Sequence, residues 1–370
     1  MTYKVVGIDF SHLHMGDLLR LAERNEDAEI VGICDESDDP TLGLESTARE
    51  FGLTEDQIYR DHERCLDEAD PDVAFLCPVP ADHATWVENV AAAHDDCAIV
   101  LEKPFATSLE HADRMIEATE DRVFAINWPL AFYRTNRTAK RLVDEGRIGE
   151  VTEVHYYDGN RGSGRFTDVE YSEGGEMHFA AGEREDIAAA AESWWHQPEA
   201  GGGSLHDYMG YGTTLGTWYR DGELPTEVTC ETFEPEWSEV DTHAVAIARY
   251  DTGLSKYETR WGCFTDPWFD QPQPKCGFVL VGTEGTISSY DYEDTIRVQD
   301  EDNPGGYEVE VDELDAPNQD VLQHVVHCLD TGEDVSFPPL TPSLCRKGQR
   351  IVDTAVASAE RGGPVDLLDR

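Results

Sequence analysis

Over its first 127 residues the chain alternates short apolar runs with segments of helical periodicity, and few architectures satisfy that alternation. Val5-Val6-Gly7-Ile8, Glu29-Ile30-Val31-Gly32-Ile33-Cys34, Val73-Ala74-Phe75-Leu76-Cys77, Ala98-Ile99-Val100-Leu101 and Arg122-Val123-Phe124-Ala125-Ile126 read as strands. Between them, Leu13 to Arg24, Asp82 to His94 and a segment opening at Ser108 space their apolar residues as helices do. Nearly continuous apolar strands indicate a parallel sheet covered on both faces, and βα units of this length indicate right-handed crossovers. The expectation is a doubly wound α/β domain over residues 1–127.

Ligands of such sheets bind beyond the carboxyl ends of the strands, so the residues that follow each apolar run are the functional candidates. Lys103, in Glu102-Lys103-Pro104, stands where an ammonium reaches a bound small molecule. Pro104 has no amide hydrogen and stops the strand, which fixes where the lysine projects. Asp35 closes the second run and is placed to accept hydrogen bonds from an adenosine ribose. Its neighbours Glu36, Asp38 and Asp39 are acidic and no arginine adjoins it, so NAD is expected before NADP. Pro78-Val79-Pro80 closes the third run. In so acidic a chain each of these is also readable as an ordinary strand end.

The turn after the first strand departs from the glycine-rich form that lets a backbone approach a diphosphate. It reads Asp9-Phe10-Ser11-His12-Leu13-His14, and the glycine positions fall on Asp9, Ser11 and His14 or, one residue later, on Phe10, His12 and Met15. An aspartate there repels a diphosphate. Ser11 can instead cap the helix and offer its hydroxyl, and a protonated His12 or His14 can donate. The turn therefore implies a cofactor bound differently, weakly or not at all.

Composition narrows the setting. Asp and Glu number 77 against 28 Lys and Arg, a net charge of −49 spread over the whole chain, which indicates a carboxylate-covered globular surface and not an acidic tail. Such a surface needs dense counterions, so a salt-accumulating cytoplasm is expected. Nucleic acid is disfavoured because clustered bases are lacking. No stretch approaches a membrane span, and Met1-Thr2-Tyr3-Lys4 leads into a strand without a targeting segment. Nine scattered cysteines without a Cys-x-x-Cys pair read as reduced, buried residues. His12-x-His14 and His324-x-x-His327 have metal-pair spacing but no third ligand close in sequence, so no metal is expected.

Beyond residue 127 the pattern changes. A helix from about Thr138 to Glu145 ends at Gly146, and a strand follows from Val151 through Tyr157. Residues 160–200 read as a long excursion with a short helix near Ile187 to Glu192. Glu227 to Thr232, Thr242 to Tyr250, Leu254 to Trp261, Gly277 to Val281 and Thr286 to Tyr290 suggest a largely antiparallel sheet, and helices close the chain over Val321 to Leu329 and Ser343 to Ala359.

Ahead of those strands lies Gly201-Gly202-Gly203-Ser204-Leu205-His206-Asp207-Tyr208-Met209-Gly210-Tyr211. With a helix starting near Ser204, Asp207 and Tyr211 share a face. A carboxylate beside a phenol orients a substrate hydroxyl while the phenol, or a lysine close by, moves the proton. The competing reading is a glycine-rich turn opening an ordinary helix.

Taken together these pieces resemble the glucose-fructose oxidoreductase and inositol dehydrogenase family, Gfo/Idh/MocA, over nearly the whole chain. The resemblance runs through Glu102-Lys103-Pro104, Glu145-Gly146-Arg147-Ile148-Gly149-Glu150-Val151, and Trp195 and Pro198 before Gly201-Gly202-Gly203-Ser204-Leu205. Asp207, Gly282-Thr283-Glu284-Gly285-Thr286, Ala357-Ser358-Ala359-Glu360 and Gly362-Gly363-Pro364-Val365 continue it. It implies an N-terminal Rossmann domain (1–127) binding NAD, less readily NADP, and an α/β domain (128–370) with a large, mostly antiparallel open sheet for substrate and oligomer contacts. The C-terminal helices are free to pack back on the first domain.

It also implies hydride transfer between nicotinamide and a carbinol carbon of a sugar or polyol by a dimer or tetramer. Lys103 would bind the reacting oxygen and Asp207 a substrate hydroxyl. Tyr211 stands where the family usually has a histidine as acid/base, and some relatives use a tyrosine near there. His83 matches a family position near the cofactor, although a plain helix-surface histidine fits equally. Cofactor contacts are expected from Asp9, Phe10, Ser11, His12, Asp35, Pro78, His83, Glu102 and Lys103. Substrate contacts are expected from Lys103, Trp195, His196, His206 and Asp207, with His206 ranked below Tyr211 as a proton carrier. Two rivals remain: a non-catalytic nucleotide- or sugar-binding regulator, and an enzyme with tightly held NAD performing epimerisation or glycoside cleavage.

Overall fold

The computed structural model describes residues 2–37, 41–160, 193–263, 265–268 and 270–369, together with two short antiparallel strands, Val169–Tyr171 and Met177–Phe179. It divides into two compact units. The first holds residues 1–127, 166–182 and 316–342, and the second holds 128–165, 183–315 and 343–370.

The first unit is built on six parallel strands: β1 (Tyr3–Ile8), β2 (Ala28–Cys34), β3 (Ile58–Tyr59), β4 (Val73–Leu76), β5 (Ala98–Glu102) and β6 (Phe124–Asn127). Their spatial order is β3-β2-β1-β4-β5-β6, so the winding reverses between β1 and β4, where a Rossmann sheet opens its ligand crevice. Every residue of β4 and β5 is buried, as apolar strands with helices on both faces require. Helices α1 (His14–Arg24), α2 (Leu44–Glu50), α3 (His62–Ala69), α4 (His83–Ala93) and α5 (Leu109–Ala118) supply that cover. A Cβ on Gly7 would lie 2.8 Å from Met15 Sδ, so glycine lets α1 lie close on β1. Sequence periodicity misses α2, β3 and α3, which are short and rich in charge, so their few apolar residues form no long stripe.

The second unit holds a nine-stranded sheet. After α6 (Arg134–Asp144), β7 (Val151–Asn160) occupies its centre, and α7 (Ser204–Tyr219) precedes β8 (Glu227–Phe233), β9 (His243–Arg249) and β10 (Leu254–Trp261). β11 (Gly277–Gly282), β12 (Gly285–Tyr290), β13 (Thr295–Asp300), β14 (Tyr307–Glu310) and β15 (Val365–Asp366) complete the order β14-β13-β12-β11-β7-β10-β9-β8-β15. All neighbours are antiparallel except β7 and β10. Helix α7 covers β7, β9 and β10, and α6 covers β12 and β13. Of the last two helices, α8 (Val321–Thr331) belongs to the first unit, and α9 (Pro342–Arg361), all but its first residue, to the second.

The expected strand Val151 to Tyr157 runs on through the polar residues Asp158, Gly159 and Asn160. β13, β14 and β15 escape sequence reading because they bury few residues: Ile296 and Val298 in β13, and none in β14 or β15. The expected helix near Ile187 to Glu192 lies outside the described residues. Within the described part of the excursion, Trp194–His196 and Pro198–Ala200 form single helical turns. Among the described residues, no helix is long and apolar enough to cross a membrane.

Candidate functional site

The carboxyl edge of the parallel sheet gathers most of the residues singled out in the first unit. Asp9 follows β1 with φ of 64°, the left-handed conformation that glycine adopts freely, and its Oδ1 accepts the Ser11 amide at 3.0 Å. Phe10 is fully buried, and its amide donates to Asp35 Oδ2 at 2.6 Å, while Asp35 Oδ1 accepts the Ser37 amide at 2.7 Å. His12 donates its amide to the Cys77 carbonyl at 3.0 Å, and Asp9 its own to Cys34 at 2.9 Å. The turn's amides at positions 9 to 12 thus all have acceptors within the unit. Burial pushes the Asp9 carboxyl up to about 6 against its Ser11 bonds. Burial also raises Asp35, opposed by the two amides it holds.

An arginine does reach the neighbourhood of Asp35, contrary to the sequence expectation. Arg60, just beyond β3, donates to the Ser37 carbonyl at 2.8 Å and to Glu45 at 2.9 Å, and its Nη1 lies 3.5 Å from the Asp35 carbonyl. Parallel pairing of β3 with β2 places it there, which no local pattern announces.

Glu102 and Lys103, at the end of β5, are both buried. His14 Nδ1 meets Glu102 Oε1 at 2.6 Å, and Asn127 donates to Glu102 Oε2 at 2.8 Å. Burial opposes charge at both members of the pair, yet their partners together outweigh it: Glu102 and Asp17 hold His14 above the ordinary imidazole range, and His14, Lys103 and Asn127 hold Glu102 below the ordinary carboxylate range. His12 is pushed well below, by burial first and then by the charges of His14 and Lys103. Ligand-type atoms of His12, His14 and Glu102 lie within 4.8 Å of one another, so the third group that sequence spacing lacked comes from β5. These groups are matched internally. His12 Nδ1 accepts the His14 amide at 3.1 Å, which leaves the ring proton of neutral His12 on Nε2, while His14 Nδ1 faces Glu102.

His83 is fully buried and so is not the surface histidine that sequence left open. Its Nε2 lies 3.3 Å from the Pro78 carbonyl and its Nδ1 3.3 Å from that of Phe105, and burial lowers it to about 4. His324 is a loop clamp: Nδ1 lies 2.8 Å from Asn318 Oδ1, and Nε2 accepts the amides of Ser336 and Phe337 at 3.2 Å.

In the second unit α7 starts at Ser204 as expected. Gly203, at φ 110°, turns the chain into it, and Asp241 caps it from the loop before β9. Its Oδ2 accepts Ser204 Oγ at 2.6 Å and the Leu205 amide at 3.0 Å. Asp207 and Tyr211, four residues apart, are 7% and 4% exposed. Trp128 meets the Tyr211 ring edge-on at 4.9 Å. His206 is lowered by burial, and its Nδ1 has no hydrogen-bond partner among the described residues. Trp195 and His196 buttress the glycine turn: Gly203 donates its amide to the Trp195 carbonyl at 3.0 Å, and the His196 ring packs between Trp237 and Trp261. His196 Nδ1 lies 3.0 Å from Ser238 Oγ, and burial pulls the ring to about 4.

Sequence reasoning missed polar residues beside α7. Tyr156 donates to Asp158 Oδ2 at 2.8 Å, and Asn160 Nδ2 donates to the Tyr208 hydroxyl. Burial raises the carboxyls of Asp158 and Asp291, and the charge of Asp158 adds to the shift at Asp291. The available signal was parity: Asp158 and Asn160 continue the inward alternation of Val154 and Tyr156.

Two family models match the chain. "Oxidoreductase family, NAD-binding Rossmann fold" covers residues 1–124, and the GFO/IDH/MocA C-terminal domain covers 136–288. A D-xylose 1-dehydrogenase [NADP(+)] of Haloarcula marismortui is 37% identical over 86 residues, 23% of this chain and 23% of the relative. A 2,7-anhydro-N-acetylneuraminate hydratase of Mediterraneibacter gnavus is 25% identical over 156 residues, 41% of this chain and 38% of the relative. The chain thus matches less than two-fifths of the length of either. The fold is shared with aldose-aldose oxidoreductase from Caulobacter crescentus (TM-score 0.76, 18% identity, 99% of this chain and 100% of that one).

Proposed function

The chain belongs to the GFO/IDH/MocA oxidoreductase family, and from that premise we propose that it is an NAD(P)-dependent dehydrogenase acting on a carbinol carbon of a sugar, polyol or related compound. The observation that carries the reading is the buried Lys103 at the carboxyl end of β5, in a sheet ordered as a dinucleotide-binding fold. NAD is the favoured cofactor.

The first unit fits a dinucleotide at its ribose end. Asp35 stands at the carboxyl end of β2 beside the winding reversal, and its two oxygens accept one amide each out of about four acceptor positions. Asp35 would hold the ribose, and Glu102 with Lys103 the nicotinamide end. Asp9, Phe10, Ser11 and His12 would border the diphosphate, with Pro78 and His83 shaping the turn after β4. The cofactor, when bound, supplies the hydride acceptor or donor. Lys103 would hydrogen-bond the reacting oxygen, Asp207 would orient a substrate hydroxyl, and Tyr211 would carry the proton. A phenol with an ordinary pKa of about 10 serves as a base near neutrality only beside a cation.

The test is a titration of the purified protein, in multimolar KCl, with NADH and NADPH, followed by nicotinamide fluorescence and a turnover screen of aldoses and polyols. Saturable binding with NADH preferred and turnover of one class is the expected result. Binding of neither overturns the reading. The similarity to a hydratase favours one second reading, a retained cofactor and no net redox change. Nucleotide released from the protein on denaturation, with no accumulation of reduced cofactor during turnover, would select it.

A homo-oligomer would form on the sheet face away from α7, where Phe233, Ile247 and Leu254 are 61%, 44% and 44% exposed. Light scattering in KCl measures its size.

A further inference from the structure

The turn between β1 and α1 holds its own anion. Phe10 and Ser11 supply the two successive amides of the bend, and each is taken by a carboxylate: Phe10 by Asp35 Oδ2 at 2.6 Å and Ser11 by Asp9 Oδ1 at 3.0 Å. In a glycine-rich turn such amides face the diphosphate and the helix N-terminus behind them favours its charge. Here the favourable field of α1 is answered by the chain itself. Asp35 accepts from the turn and from Ser37 and belongs to the ribose end. Asp9 is different, because it bonds an amide two residues on, in the same bend, and sits at the positive φ that glycine would take.

We propose that Asp9 is a built-in competitor of the cofactor's diphosphate, occupying the Ser11 amide and setting a like charge against the ligand, so that dinucleotide affinity is limited by this one side chain. The proposal rests on the cofactor reading above. For the diphosphate to take the Ser11 amide, the Asp9 carboxylate must release it and then lie beside two negative charges. Glu102 and Lys103 stand at the end of β5, where Glu102 holds His14 of α1. Asp35 after β2 and Asp82 before α4 act on Asp9 with charges of the same sign.

The experiment compares wild type, Asp9→Asn and Asp9→Gly by calorimetric titration with NADH in multimolar KCl, with an exposed acid of the same unit, Asp27→Asn, as control. Asparagine keeps an Oδ1 acceptor for Ser11 and tolerates positive φ, so it removes charge with the turn intact, and circular dichroism checks the fold of both variants. Asp9→Asn is expected to tighten NADH at least roughly tenfold, the effect of repulsion from one of the two phosphate charges at about 5 Å under an effective dielectric of about 50. Asp9→Gly should do at least as well, and Asp27→Asn should change nothing. Wild type binding with unchanged affinity in Asp9→Asn and Asp9→Gly overturns the proposal and leaves the cofactor reading standing. No binding by any of the three overturns the cofactor reading, and the proposal with it.

Discussion

Replacing Gly212 with alanine tests how α7 is held. A Cβ at this position would lie 2.7 Å from Cγ and 2.9 Å from Cε1 of Tyr156, where carbon atoms normally rest about 3.5–4.0 Å apart. The ring has little room to retreat: Tyr156 is fully buried, its hydroxyl is bonded to Asp158 at 2.8 Å, and Phe278 packs against it at 4.9 Å. Overpacking of this kind costs about 1–3 kcal/mol, while alanine in mid-helix returns up to about 1 kcal/mol. The expected net loss is about 1–2 kcal/mol. A Cβ on Gly210 or Gly216 would likewise lie 2.7 Å from Trp128 Cη2 or 2.9 Å from the Tyr257 hydroxyl, so this stretch of α7 lies close on its neighbours and the added methyl is expected to lift the helix. Asp207 and Tyr211 ride on it. Thermal unfolding in multimolar KCl, followed by near-ultraviolet dichroism, should show a midpoint lower by a few degrees. Turnover should fall more than stability explains. A Gly212→Ala protein as stable as wild type, or more so, would refute this account of the packing.

Four other outcomes are expected. Lys103→Ala should abolish turnover with the fold retained by circular dichroism, and unchanged activity would remove Lys103 from the mechanism. Tyr211→Phe should cost roughly two to four orders of magnitude in kcat if the phenol carries the proton, and a much smaller loss would point to His206 or water. Asp241→Ala removes the side chain that accepts Ser204 Oγ and the Leu205 amide, and should destabilise the second unit by about 1–2 kcal/mol in urea titration. Asp9→Asn should stabilise the first unit at pH 7 by about 3 kcal/mol at most, because burial raises the folded-state pKa from 3.8 to about 6 and ionisation therefore disfavours the fold. The Asp9 contribution is favourable below the unfolded value and is lost as pH rises through about 6. The gain from asparagine should accordingly vanish near pH 4 in melts across that range.

Sequence alone determined the parallel sheet, because strands buried on both faces must be written as continuous apolar runs and those runs are local. It also determined that Lys103 and Asp35 stand at strand ends and that Asp207 and Tyr211 share a helix face, since both follow from short-range geometry. It left unseen what depends on pairing across the sheet. Arg60 reaches Ser37 only through the β2–β3 ladder, Glu102 meets His14 across β4, and Asp241 caps a helix that starts 37 residues earlier. The Asp9 turn shows the division most clearly. Its lost glycines were legible as a charge in the wrong place, but that its carboxylate satisfies the bend's own amide was decided by the folded backbone. A hydrogen bond needs direction and distance, and only the tertiary structure supplies both.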